Sequence, residues 1–288
     1  MPVIGMGTYA IEDVDTYFKA IVEVGYRHID TASFYKNEEV IGEALQKVFK
    51  ESSVKREDLF VVTKIWGDQK KDVEGALKES LQKLQLDYVD LYLVHWPVAF
   101  EVNEEGRGVP IKIPNHKTWA DMEALVKAGL TKSIGVSNFG VQTLMDMLAY
   151  CEIKPVCNQI ELHPYLVQED LVKYMKDNDI IPVAYSPLFR PGSEQTSKTP
   201  PLTEVKLIQD LSTKYEKTPG QIILNWGIQR GHVVIPKSTN LERQRENIRV
   251  SDFKIDEEDV ESLSALNSET RIFANYDYDF VLHSNIYA

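Results

Sequence analysis

Short apolar, β-branched runs alternate with longer segments of helical periodicity along this chain. The runs lie at Val3–Thr8, Arg27–Ala32, Leu59–Ile65, Asp90–His95, Ser133–Ser137, Val156–Glu161, Ile181–Ser186 and Val233–Lys237. They are apolar nearly throughout rather than alternating, the pattern of strands covered on both faces in a parallel sheet wrapped by helices. Between them, apolar residues recur at helical spacing over Val14–Val24, Val40–Phe49, Val73–Leu84, Thr118–Ala128, Leu171–Asn178 and Pro219–Gln229. Eight strand-then-helix units in 288 residues predict an α/β fold, a (β/α)8 TIM barrel forming a single domain over residues 1–288. Pattern alone leaves an open doubly wound sheet as the alternative.

Two connections are long, near residues 98–116 and 187–203. Both leave the carboxyl end of a strand, where barrels place substrate loops. The tail 268–288 shows no clear periodicity but carries Phe273, Tyr276, Tyr278, Phe280 and Tyr287. Disordered chain is poor in aromatics, so this tail is expected to pack against the body over the pocket mouth.

The informative interruptions are polar residues at the ends of successive apolar runs: Asp30, Lys64 and His95, with Tyr35 five residues beyond Asp30. Singly, Asp30 reads as a helix cap, Lys64 as a snorkelling lysine and His95 as a satisfied core histidine. Together, on neighbouring strand ends, they converge on one pocket. Carbonyl reduction needs a hydride donor and an acid to protonate the forming alkoxide. Tyrosine, with a pKa of about 10, is a weak acid for that task at neutral pH. An ammonium beside it favours the phenolate and lowers that pKa, a carboxylate holds the ammonium, and a neutral imidazole orients the substrate oxygen. This gives Tyr35 as acid, Lys64 as its tuner, Asp30 as anchor and His95 as orienter.

Charge changes the picture by setting a requirement. Lys plus Arg is 32 against 44 Asp plus Glu, a net charge of −12. Such a surface repels phosphate backbones and anionic lipids, so neither nucleic acid nor membrane is an expected partner. An anionic ligand therefore needs a local basic patch. The two cysteines, Cys151 and Cys157, are too few for a disulfide scaffold, and no signal-peptide pattern opens the chain, so a cytoplasmic protein is expected. The six histidines show no paired ligand spacing, so no metal is expected. No long apolar stripe is left over, which favours a monomer.

Three stretches carry a resemblance to a known family. Gly25-Tyr26-Arg27-His28-Ile29-Asp30-Thr31-Ala32 with Tyr35, Asn37 and Glu38 resembles the first signature of the aldo-keto reductases, in particular the aldose, aldehyde and xylose reductase branch. Lys132-Ser133-Ile134-Gly135-Val136-Ser137-Asn138-Phe139 resembles the second, and Ile235-Pro236-Lys237-Ser238 with Arg243, Glu246 and Asn247 the third. Val94-His95-Trp96-Pro97 and Asn158-Gln159-Ile160-Glu161 are similar to the family as well. The resemblance implies a barrel with NADPH extended across its carboxyl face and supports the four catalytic roles. It implies that Ser137, Asn138 and Gln159 bond the nicotinamide carboxamide and that Tyr185 stacks on the ring. Ser186, Leu188 and the backbone of Gly7, Thr8 and Tyr9 would line the diphosphate and ribose path. Lys237, Ser238, Thr239 and Arg243 would hold the adenosine 2′-phosphate, with Glu246 and Asn247 at the adenine. The basic patch would lie there, aided by the N-terminus of a helix starting near Thr239. Tyr9, Phe34, Trp66 and Trp96 are the expected aromatic walls of the substrate pocket.

Some features depart from the family pattern. The hairpin that commonly covers the barrel floor is not expected, because Met1-Pro2-Val3 leads almost directly into the first run. Tyr9 stands where many relatives carry Trp. Two other functions compete. Gly5-Met6-Gly7-Thr8-Tyr9-Ala10 matches the dinucleotide fingerprint of a Rossmann dehydrogenase, though only four residues precede its first glycine. A cofactor-binding regulatory or structural protein on the same fold is the second alternative.

Overall fold

The computed structural model describes residues 1–189, 196 and 198–273. The eight runs form one sheet of eight parallel strands, neighbours in space following their order in the chain. They are β1 (Met6–Gly7), β2 (His28–Asp30), β3 (Phe60–Ile65), β4 (Leu91–Val94), β5 (Ile134–Ser137), β6 (Cys157–Glu161), β7 (Ile181–Tyr185) and β8 (Val233–Val234). The ring closes between its first and last members. Ile4 bridges Val234 in parallel, Gly5 N–H donates to the Val234 carbonyl at 2.9 Å, and Gly7 N–H to the Pro236 carbonyl at 3.1 Å. A side chain at Gly7 would bring its Cβ to 2.7 Å from the Ile235 carbonyl, so the close approach of the two strands requires glycine. Closure excludes the open doubly wound sheet. The Gly5–Ala10 stretch serves as the closing strand rather than a dinucleotide turn.

Period-two alternation sorts each strand into two faces. Val62, Leu91, Leu93, Cys157, Val183, Val233 and Ile235 pack together in one cluster, while Val61, Ile65, Tyr92, Val94, Ile134 and Val136 belong to a larger one with the helices. The first set fills the barrel. Continuing that inward parity toward the carboxyl ends gives Lys64 after Val62, His95 after Leu93, Gln159 after Cys157 and Tyr185 after Val183. The interior is thus apolar at mid-barrel and polar at the mouth, as layered barrel packing allows.

The helices wrap the outside: α1 (Val14–Lys19), α2 (Glu38–Glu51), α3 (Val73–Leu84), α4 (Asn115–Lys127), α5 (Val141–Tyr150), α6 (Glu169–Asp177), α7 (Lys206–Tyr215), α8 (Pro219–Gln229), α9 (Leu241–Ile248) and α10 (Glu257–Ser264). α1 continues as a π-helical turn over Ala20–Val24 and stops at Gly25, whose φ of 99° suits glycine. Asp72 caps α3 by accepting from Gly75 N–H, and a Thr218–Gln221 capping box with Pro219 in the first turn starts α8. The helix expected near Thr239 begins slightly later, because the Asn240 side chain accepts from Arg243 N–H and makes Leu241 the first helical residue.

The long connection after β4 folds into a hairpin, Phe100–Val102 against Gly108–Pro110, before α4. In the connection after β7, Pro191 and Gly192 lie outside the described residues. So do Tyr276, Tyr278, Phe280 and Tyr287 of the tail, whereas Phe273 is described. Among the described residues no helix is long and apolar enough to cross a membrane, and no cluster of His, Cys, Asp or Glu could hold a metal ion.

Candidate active site

Asp30, Lys64 and His95 meet at the carboxyl mouth with Tyr35, which ends the short turn Ser33–Tyr35 after β2. Lys64 Nζ, fully enclosed, donates to Asp30 Oδ1 at 2.5 Å, to the Thr31 carbonyl at 2.8 Å and to Tyr35 Oη at 3.4 Å. Gln159 Nε2 donates to the other Asp30 oxygen at 2.7 Å. The Tyr35 and His95 rings stand nearly perpendicular with centroids 5.8 Å apart. Tyr35 is held by the turn it belongs to, since Asn37 Nδ2 donates to the Thr8 carbonyl at 2.8 Å while Thr31 Oγ1 donates to Asn37 Oδ1 at 2.7 Å. That turn is thereby tied to β1 and β2.

The protonation pattern follows from this packing. Burial, reinforced by the Lys64 charge, holds His95 well below the usual imidazole range, so its ring is neutral. Burial also disfavours the Lys64 ammonium, but Asp30 and Tyr35 beside it win and keep it above the ordinary lysine value. Tyr35 corrects the simple expectation of a lowered phenol. Lys64 pulls it down as anticipated, yet burial pushes harder in the other direction and Asp30 adds to the push, so the net shift is upward. Asp30, 2.5 Å from the ammonium, offsets part of the Lys64 field at the phenol, and burial outweighs the rest.

The residues named for the nicotinamide form one connected network. Ser137 Oγ donates to the Gln159 carbonyl at 2.8 Å, Asn138 Nδ2 to the His95 carbonyl at 3.0 Å, and Tyr185 Oη to Asn138 Oδ1 at 2.9 Å. Asn138 and Ser186 both hold left-handed backbone, with φ of 62° and 48°, a conformation that clusters at functional sites. Gly7, Thr8 and Tyr9 follow β1 at the same mouth, and Thr8 Oγ1 donates to the Asp30 carbonyl at 2.9 Å. Leu188 packs against the core between the barrel and α8. On the rim, Lys237, Thr239 and Arg243 are exposed and Ser238 is half-buried around the start of α9. Neither Lys237 nor Arg243 has an ion-pair partner among the described residues. In α9, Asn247 is buried and Glu246 half-buried, and the Glu246 carbonyl accepts from Gln221.

The aromatic walls differ in role. Phe34 and Trp66 stack with centroids 4.2 Å apart, and Trp66 meets the His95 ring edge-on at 4.9 Å. Tyr9, 55% exposed, meets the Tyr35 ring at 5.2 Å. Trp96 is buried and accepts through its carbonyl from Lys70 Nζ at 2.7 Å. Phe34 and Trp66 also line, with Phe100 of the hairpin, a cleft of about 600 Å³. Two groups of this site carry no sequence signal. Lys70, in the polar run Asp68-Gln69-Lys70-Lys71, reads as solvated but is buried, and burial lowers its ammonium to about 7. Gln69 Oε1 accepts from both Ser33 Oγ and Trp66 N–H, fixing the walls to one another.

Fold and site together define a closed α/β barrel with its polar chemistry gathered at the carboxyl mouth. A profile of the Aldo/keto reductase family matches residues 4–268. Aldose reductase C of Dictyostelium discoideum is 42% identical over 94% of this chain and 88% of its own length. The NADP-dependent D-sorbitol-6-phosphate dehydrogenase of Malus domestica is 38% identical over 94% of this chain and 92% of its own. The solved aldose reductase from Schistosoma japonicum superposes with a TM-score of 0.90 at 34% identity, covering 99% of this chain and 94% of that one. The chain belongs to the Aldo/keto reductase family and is an oxidoreductase.

Proposed function

We propose that the protein is an NADPH-dependent reductase of aldehydes and ketones, aldoses included, with Tyr35 as the proton donor. The observation that carries this is the contact of one enclosed ammonium, Lys64, with both Asp30 and Tyr35, beside a neutral His95. When bound, the dinucleotide supplies the hydride to the carbonyl carbon. The chain's part is the proton. His95 orients the carbonyl oxygen toward Tyr35 Oη, which protonates it as the alkoxide forms, and Lys64 stabilises the phenolate left behind. The upward net shift of Tyr35 keeps it protonated at neutral pH, as an acid must be.

The residues present suit NADPH. In a chain of net charge −12, two exposed cations without ion partners among the described residues, Lys237 and Arg243, flank a helix N-terminus. That donor set matches a phosphate on the adenosine ribose. Ser137, Asn138, Gln159 and Tyr185 would take the nicotinamide end, and Gly7, Thr8, Tyr9, Ser186 and Leu188 the path between. Each barrel carries all four catalytic groups, so one chain suffices and a cytoplasmic monomer is the simplest working form. The test is NADPH oxidation with xylose, glyceraldehyde, a benzaldehyde and several ketones. Turnover with at least one of them is expected, and none with any would overturn the proposal.

A further inference from the structure

Glu161, the last residue of β6, is 2% exposed, at a strand end where a carboxylate must be compensated. Its donors do not come from the catalytic centre. Oε1 accepts from His163 Nε2 at 2.8 Å and from the backbone N–H of Ile272 at 2.7 Å, and Oε2 accepts from Phe273 N–H at 3.2 Å. Two of its three partners are thus amides of a segment more than a hundred residues on. The segment is stitched down at further points. Asn267 Oδ1 accepts from Val167 N–H, the Tyr165 carbonyl from Ser268 and Thr270 N–H, and Gln168 Oε1 from Arg271. Gln168 in turn donates from Nε2 to the Glu161 carbonyl at 2.7 Å.

This clasp ends at the site. Phe273, the residue after the first clasped amide, meets the Tyr185 ring edge-to-face with centroids 5.6 Å apart. Tyr185 bonds Asn138, and Asn138 bonds the His95 carbonyl. An unbroken set of contacts therefore runs from the Glu161 carboxylate through Phe273 and Tyr185 to the backbone of His95. We infer that Glu161 is a positioning residue. Its carboxylate fixes Phe273 against Tyr185 and so sets the platform on which the nicotinamide ring of the dinucleotide rests. The inference deepens the NADPH reading and rests on it.

The test compares two ligands on the full chain. Titrations with NADPH and with adenosine 2′,5′-bisphosphate, which lacks the nicotinamide, are followed by tryptophan fluorescence for wild type, Glu161→Gln and Phe273→Ala. A glutamine keeps the size but offers one acceptor oxygen, so one clasped amide loses its partner. The expected result is a rise of about tenfold in the NADPH Kd for either variant. Bisphosphate affinity stays at the wild-type value, and the double variant is no worse than either single one. Phe273→Ala keeps the carboxylate and its donors, so it carries the test even where Glu161→Gln fails to fold. Unchanged NADPH affinity in Phe273→Ala, or equal losses for both ligands, overturns the inference alone. Wild type that binds neither ligand overturns the NADPH reading and this inference with it.

Discussion

Lys64 is a lysine with no exposed surface, and its charge survives chiefly because Asp30 lies 2.5 Å away. Removing one partner of a buried pair leaves the other uncompensated. Asp30→Asn is accordingly expected to cost about 3–5 kcal/mol in urea unfolding at neutral pH, and a loss under about 1 kcal/mol would contradict the buried-ammonium account. Its pH dependence has a definite sign. The folded pKa of Lys64 stands above the unfolded value of 10.5, so the pair contributes fully below that pH and fades as pH rises through the folded value. Tyr35, also raised, predicts a reduction rate that is flat through neutrality and falls only on the alkaline side, beyond an ordinary tyrosine's range. A fall centred near neutral pH would instead point to a different acid. Three of the four positions proposed for catalysis stood out in the sequence because Asp30, Lys64 and His95 each end an apolar run, while Tyr35 stood out only through its place five residues beyond Asp30. The net direction of the Tyr35 shift was not legible, since it depends on how far burial outweighs the Lys64 charge.

At the scale of elements, legibility followed periodicity. The apolar runs marked all eight strands, and their inward parity accounts for why Lys64, His95 and Gln159 share one mouth. The hairpin Phe100–Val102 with Gly108–Pro110 was not visible, because its two strands are only three residues long and expose Val102 and Val109, leaving no buried apolar period to read. The Glu161 clasp was not visible either, since two of its three partners are backbone amides, which have no sequence signature. Packing between helices gives a sharper test. Gly42 in α2 faces α3, where an added Cβ would collide with the Lys83 carbonyl and come within 2.9 Å of the Leu84 carbonyl carbon. Alanine gains about 1 kcal/mol of helix propensity over glycine. Two backbones forced apart cost about 1–3 kcal/mol. Gly42→Ala should therefore destabilise on balance, lowering the urea midpoint, and a raised midpoint would show that α2 and α3 separate freely.

The molecule as a whole is acidic, and this makes its anion site a local exception. With a net charge of −12, NADPH as proposed would approach against the global field, and Lys237 and Arg243 would capture it. Arg243→Ala is expected to weaken NADPH binding at least tenfold and NADH binding little, and equal losses for the two would refute a 2′-phosphate contact. Stability as a whole has an acid limit built into the barrel floor. His232 is buried with neither ring nitrogen bonded, and burial, aided by Arg230 and Lys176, lowers it to about 3. The unfolded imidazole takes a proton near 6.5, so stability is lost as pH falls from there toward 3, by about 1.4 kcal/mol for each unit inside the window. His232→Leu should flatten that slope between about pH 6 and about pH 4 in urea unfolding, the remainder coming from His28 and His95, which burial also lowers. An unchanged slope would place the acid limit elsewhere.

Proton delivery by Tyr35 is tested most directly by Tyr35→Phe, assayed side by side for NADPH oxidation with an active carbonyl and for NADPH affinity. The ring and its packing against Tyr9 and His95 persist in the variant while the Oη is gone. Turnover is expected to fall by at least a thousandfold, on the order of what a general acid contributes, while the NADPH Kd stays within about twofold. Turnover near the wild-type rate would contradict proton delivery by Tyr35.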